Sequence, residues 1–259
     1  MRYVRFTHNS KSALGRLEGD SVIVQKGDLL SSPSDTKQHF AFSEVTLDAP
    51  LKPGKIVALW NQFHALAAKL GQSVPKEPLY FLKSPSSVIG PGAQIRKPAH
   101  FEGKVIYEGE LGLVIGKTCR AVSEAEAAAS IFGVTCINDV TAVDLLKRDP
   151  SFDQWSRAKS FDTFCPLGPA IATGLDLSKL SIKVTLATNG ETQERQHYPV
   201  SDMVFQPAKL VSLISQDMTL EPGDVVACGT SVGAGTMKPG QVVTVTIEGV
   251  GSLSNLYMA

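Results

Sequence analysis

The 259-residue chain has no excess of charge of either sign, because 25 lysine and arginine residues balance 25 aspartate and glutamate residues. A balanced charge provides no general attraction to a phosphate backbone, so we expect no nucleic-acid partner. The sequence also lacks an uninterrupted apolar run of membrane-spanning length, and its first residues contain no signal-peptide core. We therefore expect no association with a membrane.

Cysteine is scarce, and its four residues form no Cys-x-x-Cys pair. They are Cys119, Cys136, Cys165 and Cys228. Each lies among apolar or small residues, a context typical of buried reduced thiols rather than of disulfides or a zinc site. This pattern favours a cytoplasmic protein. The glycine-rich segments 90–92 and 229–235 lack the spacing of a P-loop or a dinucleotide-binding loop, so we expect no nucleotide cofactor.

Short apolar stretches typical of β-strands are abundant. Hydrophobic residues make up 43% of the chain and charged residues 19%, as in a soluble globular protein with a substantial core. Strand-like segments interrupted by a few helices predict an α+β fold dominated by sheet. The proline-rich stretch Ala49–Gly54 predicts a junction between a small β-rich N-terminal domain, residues 1–49, and a larger domain, residues 50–259. Helices are predicted over residues 63–70 before Gly71, after the N-cap residue Ser123, and over residues 207–215.

Two glutamates stand one residue apart in an alternating, strand-like stretch, Lys104–Gly116. On a strand, Glu108 and Glu110 would point to the same side, with side-chain origins roughly 6.5 Å apart. Neighbouring carboxylates repel each other and resist burial, and a hard divalent cation relieves both problems. From the spacing alone, a solvated strand face is an equally good interpretation. Asp139 follows another predicted strand, where a carboxylate is typical either of a ligand or of a cap for the segment after it.

Five segments, in this order, make the chain resemble the fumarylacetoacetate hydrolase family over roughly residues 54–257. They are Phe81–Gly92, Tyr107–Gly116, Asn138–Asp144, Arg157–Phe164 and Met218–Thr230. The resemblance implies a mixed-sheet β-roll as the larger domain, a homodimer and a small carboxylic acid as substrate. It also implies that Glu108, Glu110 and Asp139 bind one Mg²⁺ or Mn²⁺ ion, with Ca²⁺ as an alternative.

The same resemblance implies roles for three further side chains. Lys159 corresponds to a lysine that faces the metal site, although a lysine between aromatic residues is more often a surface side chain. Thr230 lies in the glycine-flanked turn that contacts the substrate, but a plain turn hydroxyl fits the sequence almost as well. His64 corresponds to a histidine on a mobile lid helix, where it acts as a base.

Three positions differ from the pattern of the family. Many members carry an acid three residues after the lid histidine, where this chain has Ala67. Val143 replaces an arginine that stabilises an oxyanion, and Leu146 replaces a glutamine. The expected metal site is therefore retained in surroundings that are less polar, which indicates a changed substrate or reaction, or an unusually apolar pocket.

Members of this family hydrolyse carbon–carbon bonds in β-diketo acids, decarboxylate 2-oxo diacids, or isomerise unsaturated hydroxy-diacids in the breakdown of aromatic compounds. Hydrolysis of the acylpyruvase kind is the first expectation. The alternative is an isomerase or decarboxylase acting on 2-hydroxyhepta-2,4-diene-1,7-dioate or a 2-oxo diacid, since neither reaction needs a water activated by a His–Glu pair. A metal-binding module without turnover is an alternative of a different class.

Overall fold

The structure, a computed structural model, describes every residue from Met1 to Ala259. Strand accounts for 44% of the chain and helix for 18%, which confirms the predicted sheet-dominated α+β fold. The strands are β1 (Arg2–His8), β2 (Lys11–Glu18), β3 (Ser21–Lys26), β4 (Ser34–Ala41), β5 (Thr46–Asp48), β6 (Ile56–Trp60), β7 (Leu79–Lys83), β8 (Val88–Ile89), β9 (Ile95–Arg96), β10 (Val105–Tyr107), β11 (Gly109–Ile115), β12 (Ile131–Asn138), β13 (Thr141–Ala142), β14 (Cys165–Ala172), β15 (Ser181–Thr188), β16 (Glu191–Pro199), β17 (Val225–Ala227), β18 (Gly235–Thr236), β19 (Val242–Ile247) and β20 (Gly251–Met258). The α-helices are α1 (His64–Leu70), α2 (Glu124–Ser130), α3 (Val143–Leu146), α4 (Trp155–Lys159) and α5 (Pro207–Asp217).

The helices and cysteines agree with the sequence-based expectations. Helix α1 ends before Gly71, whose φ of 63° is a left-handed value that glycine adopts without strain. Helix α2 begins after Ser123, which forms a reciprocal capping box with Glu126. Helix α5 starts at Pro207, as predicted, and continues two residues past the predicted end. All four cysteines are buried free thiols. None of the helices combines the length and apolar character needed to cross a lipid bilayer.

The largest sheet has twelve strands and includes the N-terminal segment. Its main path is β4-β3-β2-β1-β14-β12-β11-β17-β6-β7, with β5 beside β1 and β8 beside β14. The first four strands join the others through β1 and β14, where Arg2 pairs with Ala172 and Tyr3 with Ile171. Residues 1–49 therefore share one sheet with the later part of the chain, and a domain boundary at residue 49 stays a prediction.

Strands β6 and β17 are parallel neighbours in this sheet, with Ala58 paired to Ala227. The carboxyl ends of parallel strands meet at the same edge, which is the usual position of ligand sites in such sheets. Here β6 leads into Asn61 and Gln62, and β17 leads into the turn that contains Gly229. A Cβ atom on Gly229 would lie 3.1 Å from Gln62 Cβ, so the two loops are in contact at this edge.

Strand β11 is buried along its whole length and separates two hydrophobic clusters. Leu111 and Leu113 belong to a cluster of 39 buried residues, whereas Val114 belongs to a second cluster of 12. Because side chains alternate across a strand, Glu110 lies on the same side as Val114. The carboxylate of Glu110, the second residue of this otherwise apolar strand, thus projects toward the cluster of 12 residues.

A five-stranded sheet, β16-β15-β19-β20-β9, packs over the beginning of β11. The approach is closest at Gly109, where a Cβ atom would lie only 2.2 Å from Val184 Cγ2. Glycine is therefore the residue that fits between Glu108 and Glu110. The third sheet, β13-β10-β18, completes the surroundings of these two glutamates.

Candidate metal centre

Strand pairing brings Asp139 to the two glutamates. Gly109 of β11 pairs with Asn138 of β12, so the residues on either side of this pair are neighbours. The Asn138 side chain accepts a hydrogen bond from the Glu108 main-chain N–H at 3.0 Å, and the Asp139 N–H donates to the Glu108 carbonyl at 2.8 Å. The position of Asp139 is therefore set by main-chain contacts with the glutamate segment itself.

The three predicted ligands form one buried cluster. Each of Glu108, Glu110 and Asp139 offers a carboxylate oxygen, and these oxygens all lie within 4.8 Å of one another. Their exposed fractions are 8%, 1% and 0%. Isolated carboxylates are not stable at this depth, because the loss of hydration is compensated only by nearby cations or hydrogen-bond donors. The cluster therefore needs positive charge.

Lys159 supplies part of that charge. It is the last residue of α4, it is buried, and its Nζ donates hydrogen bonds to Glu108 Oε2 and, at 2.5 Å, to Asp139 Oδ2. The aromatic ring of Phe81 lies beneath the ammonium group, with 5.4 Å between Nζ and the ring centroid. The structure thus brings Lys159 to the three carboxylates, as the resemblance implies, and excludes the alternative of an exposed side chain.

Lys83 is a second buried cation that the sequence reasoning missed. Its Nζ lies 2.6 Å from Asp139 Oδ1 as an ion pair, although the contact lacks the alignment of a hydrogen bond. The same ammonium group donates to the main-chain carbonyls of Lys159 and Phe164. Nothing in the sequence marks Lys83 for burial, because Asp139, Lys159 and Phe164 reach it from distant segments.

The pKa values of the cluster follow from burial and these ion pairs. Burial raises the pKa of Glu110 well above its usual range, and the charge on Asp139 acts in the same direction. Burial also raises the pKa of Glu108, although Lys159 opposes the shift. For Asp139 burial acts in the same direction, but Lys159 and Lys83 together outweigh it and lower the pKa. The pKa of Lys159 is raised despite its burial, because Asp139 and Glu108 favour the ammonium form.

The charge balance and the donor atoms fit a divalent cation. Three carboxylates face two ammonium groups, which leaves one formal negative charge without compensation. Glu110 Oε2 accepts a hydrogen bond from the Gly229 N–H at 2.8 Å, but Oε1 is buried and has no partner. An uncompensated oxygen in an all-carboxylate site is the environment that Mg²⁺, Mn²⁺ and Ca²⁺ prefer.

Thr230 lies beside the cluster, with its hydroxyl already engaged. The hydroxyl donates to the Gly109 carbonyl at 3.0 Å and accepts from Gln196 Nε2 at 2.9 Å. The residue is buried, and it follows Gly229, whose N–H holds Glu110. The structure places Thr230 in the wall of the site, while its contact with a substrate stays a prediction.

His64 makes no hydrogen bond or ion pair with these buried groups. It is the first residue of α1 and is exposed to solvent. Helix α1 contains no carboxylate, and the Ala67 side chain is 1% exposed. An acid at position 67 would therefore be buried rather than presented to the His64 ring. Val143 and Leu146, both on α3, are half-buried apolar residues.

Two family models and several curated relatives match this sequence. The family model described as "Fumarylacetoacetate (FAA) hydrolase C-terminal" matches residues 55–256. A second one, described as "Rv2993c-like, N-terminal", matches residues 1–50. Among curated relatives, oxaloacetate tautomerase YisK from Bacillus subtilis is 35% identical over 255 residues, which cover 92% of this chain and 83% of that protein.

Solved structures with the same fold differ in the reaction that their names describe. The 5-carboxymethyl-2-hydroxymuconate delta-isomerase from Mycobacterium smegmatis is 37% identical, with a TM-score of 0.89 over 100% of this chain and 99% of that one. Maleylpyruvate hydrolase from Sphingobium sp. SYK-6, in complex with manganese(II) and pyruvate, is 26% identical, with a TM-score of 0.80 over the same shares. Similarity alone therefore does not select one reaction.

Proposed function

The chain belongs to the fumarylacetoacetate hydrolase family, and we propose that within it this protein is a divalent-metal-dependent tautomerase or isomerase of a small 2-oxo dicarboxylic acid. The observation that carries the proposal is the composition of the centre. Three buried carboxylates and two buried ammonium groups lie together, and the helix that bears His64 has no acid to pair with it. These charged groups can stabilise an enolate once a cation is bound, but they include no histidine–carboxylate pair that would act as a general base on water.

Glu108, Glu110 and Asp139 would hold the cation, which when bound supplies Lewis acidity toward the oxygen atoms of a 2-oxo acid. A divalent charge turns the formal balance of the centre from one negative to one positive, which matches an anionic substrate. Lys159 Nζ would hold the negative charge that develops on the substrate oxygen when the enol hydroxyl gives its proton to solvent. The carbon atom then gains a proton, either from solvent or from Lys159 Nζ, which in that case recovers one from solvent. Lys83 faces Asp139 and two main-chain carbonyls, so its part is to balance charge.

A cavity of about 770 Å³ lies next to the end of β6, and in this proposal it takes the part of the substrate that does not reach the metal, since none of the three carboxylates lines it. Its lining includes Trp60, Asn61 and the exposed Lys76. The Trp60 ring packs on Trp155 with 5.0 Å between centroids, and Trp155 begins the helix that ends in Lys159. Asn61 Oδ1 is buried without a hydrogen-bond partner, and Lys76 takes part in no ion pair. Asn61 Oδ1 is an acceptor that a substrate hydroxyl would satisfy, and Lys76 would pair with a second carboxylate, although Glu77 also lines the cavity.

Product analysis tests the proposed reaction. With Mn²⁺ or Mg²⁺ present, we expect the protein to convert the enol form of oxaloacetate to the keto form faster than the buffer and metal alone do. Mass and NMR spectra should show an unchanged molecular formula and no CO₂ beyond background. The variant Glu110→Gln, which keeps the scaffold but lacks one ligand carboxylate, measures catalysis by metal in solution. Enzyme-dependent CO₂ release, or cleavage fragments from acylpyruvates, would contradict the proposal.

Substitution of His64 separates isomerisation from hydrolysis independently. We expect His64→Ala to change kcat/KM for the tautomerisation by less than about tenfold, because the side chain is exposed and its own helix has no acid to orient it; the nearby Asp202 accepts a hydrogen bond from the Ala65 N–H. A hydrolase that used His64 as its base would lose about 100- to 10,000-fold. The matched control is His39→Ala, which removes another exposed imidazole far from the cluster in sequence. A loss above 100-fold for His64→Ala alone would favour the hydrolytic mechanism.

Carbon–carbon hydrolysis of a β-diketo acid is the second candidate. It is favoured by the match to maleylpyruvate hydrolase, which extends over the whole of this chain. Hydrolysis and tautomerisation share the enolate, so the same three carboxylates and Lys159 serve either reaction. Only hydrolysis requires a group that activates water. Product analysis distinguishes the two reactions, because only hydrolysis yields two fragments.

A further inference from the structure

Gln196 is a buried amide in a strand whose neighbouring side chains face solvent. It lies in β16, it is 1% exposed, and both Arg195 and His197 are exposed. The pairing of β15 with β16 is irregular here: Val184 pairs with Gln196, but Thr185 pairs with Glu194. The extra residue is a β-bulge, a feature that re-aims side chains. Gln196 lies on the same face of β16 as the buried Tyr198, two residues later, and this face is turned toward the metal-ligand segment.

The Gln196 side chain bridges two separate parts of the centre. Its Oε1 accepts a hydrogen bond at 3.1 Å from the main-chain N–H of Gly109, the residue between Glu108 and Glu110. Its Nε2 donates to Thr230 Oγ1 at 2.9 Å and to the Ser231 carbonyl at 3.0 Å. The acceptor and the donors are distinct, so the orientation of the amide is determined by its partners.

Gly109 is held on both of its main-chain groups. Gln196 accepts from its N–H, while the hydroxyls of Thr230 and Tyr198 donate to its carbonyl. Gly109 itself offers no side chain for anchoring and would otherwise be free to adopt several conformations. The directions of the two flanking carboxylates therefore depend on contacts made by residues of β16 and of the turn after β17.

We propose that Gln196 is a positioning residue that couples the metal-ligand segment to the turn carrying Thr230. The Gln196 amide holds Gly109, and with it Glu108 and Glu110, at a fixed position relative to the turn of Thr230, where the substrate is expected to lie. Loss of the amide should weaken metal binding and substrate binding together. The effect on the substrate rests on the proposed function, whereas the effect on metal affinity does not.

The test measures both affinities in the variants Gln196→Met and Gln196→Glu. Titration of metal-free protein with Mn²⁺ in a calorimeter should show about 10- to 100-fold weaker binding for Gln196→Met, the usual effect of losing a partner that orients metal ligands. Its KM should rise as well. Gln196→Glu retains an acceptor for the Gly109 N–H but no donor for the turn, so it should lose less Mn²⁺ affinity and show a comparable rise in KM.

The control is Gln193→Met, which makes the same chemical change at an exposed position of β16. It should bind Mn²⁺ as the wild type does. Circular dichroism establishes that each variant is folded; if Gln196→Met is unfolded, the nearly isosteric Gln196→Glu carries the test. A folded variant with wild-type Mn²⁺ affinity and KM, and only a lower melting temperature, would overturn the proposal. Weakened Mn²⁺ binding in a protein without turnover would support it and would count against the proposed function instead.

Discussion

Replacement of Glu110 by glutamine should abolish Mn²⁺ binding and reduce turnover to below about one hundredth of the wild-type rate. Glutamine keeps the size of the side chain and an oxygen for the Gly229 N–H, which lies 2.8 Å from Glu110 Oε2. It removes the charge and one of three ligand carboxylates. Because the substitution is nearly isosteric, the loss would arise from the missing charge rather than from repacking.

Thermal unfolding with and without Mn²⁺ supplies the complementary measurement. Bound metal stabilises the native wild-type protein by mass action, about 2.7 kcal/mol at 100 times the dissociation constant, and this increment should vanish in Glu110→Gln. The metal-free variant should be at least as stable as the wild type, since burial disfavours charge on Glu110 and raises its pKa well above the usual range. The exposed Glu248→Gln is the control. Wild-type metal affinity in Glu110→Gln would place the site elsewhere.

Lys83→Met should have the largest effect on stability. The side chain of Lys83 is fully buried and its Nζ lies 2.6 Å from Asp139 Oδ1, which is itself inaccessible to solvent. Removal of one partner from a buried ion pair leaves an uncompensated charge and typically destabilises a protein by about 3–5 kcal/mol. For a chain of this size we expect the metal-free melting temperature to fall by roughly 10 °C.

Added Mn²⁺ should reverse part of that loss, because a divalent cation restores positive charge beside Asp139. Lys52→Met provides the control, since Lys52 is exposed and its loss should leave the melting temperature within about 1–2 °C of the wild type. Equal melting temperatures for the metal-free Lys83→Met and wild-type proteins would show that Asp139 does not depend on this ammonium group.

The acidic residues of the centre were accessible to sequence reasoning because the relevant geometry is local. Residues i and i+2 of a strand share a side, so the spacing of Glu108 and Glu110 is enough to pair them. Asp139 required the resemblance, since nothing in the sequence states that Asn138 pairs with Gly109. The fold class followed from strand-like segments of ordinary length.

Lys83 and Gln196 were beyond that reasoning for the same physical cause. The burial of Lys83 depends on Asp139, Phe164 and Lys159, which reach it from 56 or more residues along the chain. Gly109 and Thr230, the hydrogen-bond partners of Gln196, lie 34 or more residues away along the chain. The residue type does not distinguish Gln196 from the exposed Gln193 of the same strand. Contacts between distant segments leave no periodic pattern in a sequence.

The pairing of β1 with β14 has a consequence for how this protein can be divided. Without residues 1–49, β14 would lose the neighbour that Arg2 and Tyr3 provide, and Ala170 would lose its packing against Val4 and Phe6. The remaining chain would present an open, apolar strand edge, the feature from which proteins aggregate edge to edge. Residues 1–49 thus cover an edge of the larger sheet that would otherwise be exposed. A shortened protein prepared for crystallisation should retain them.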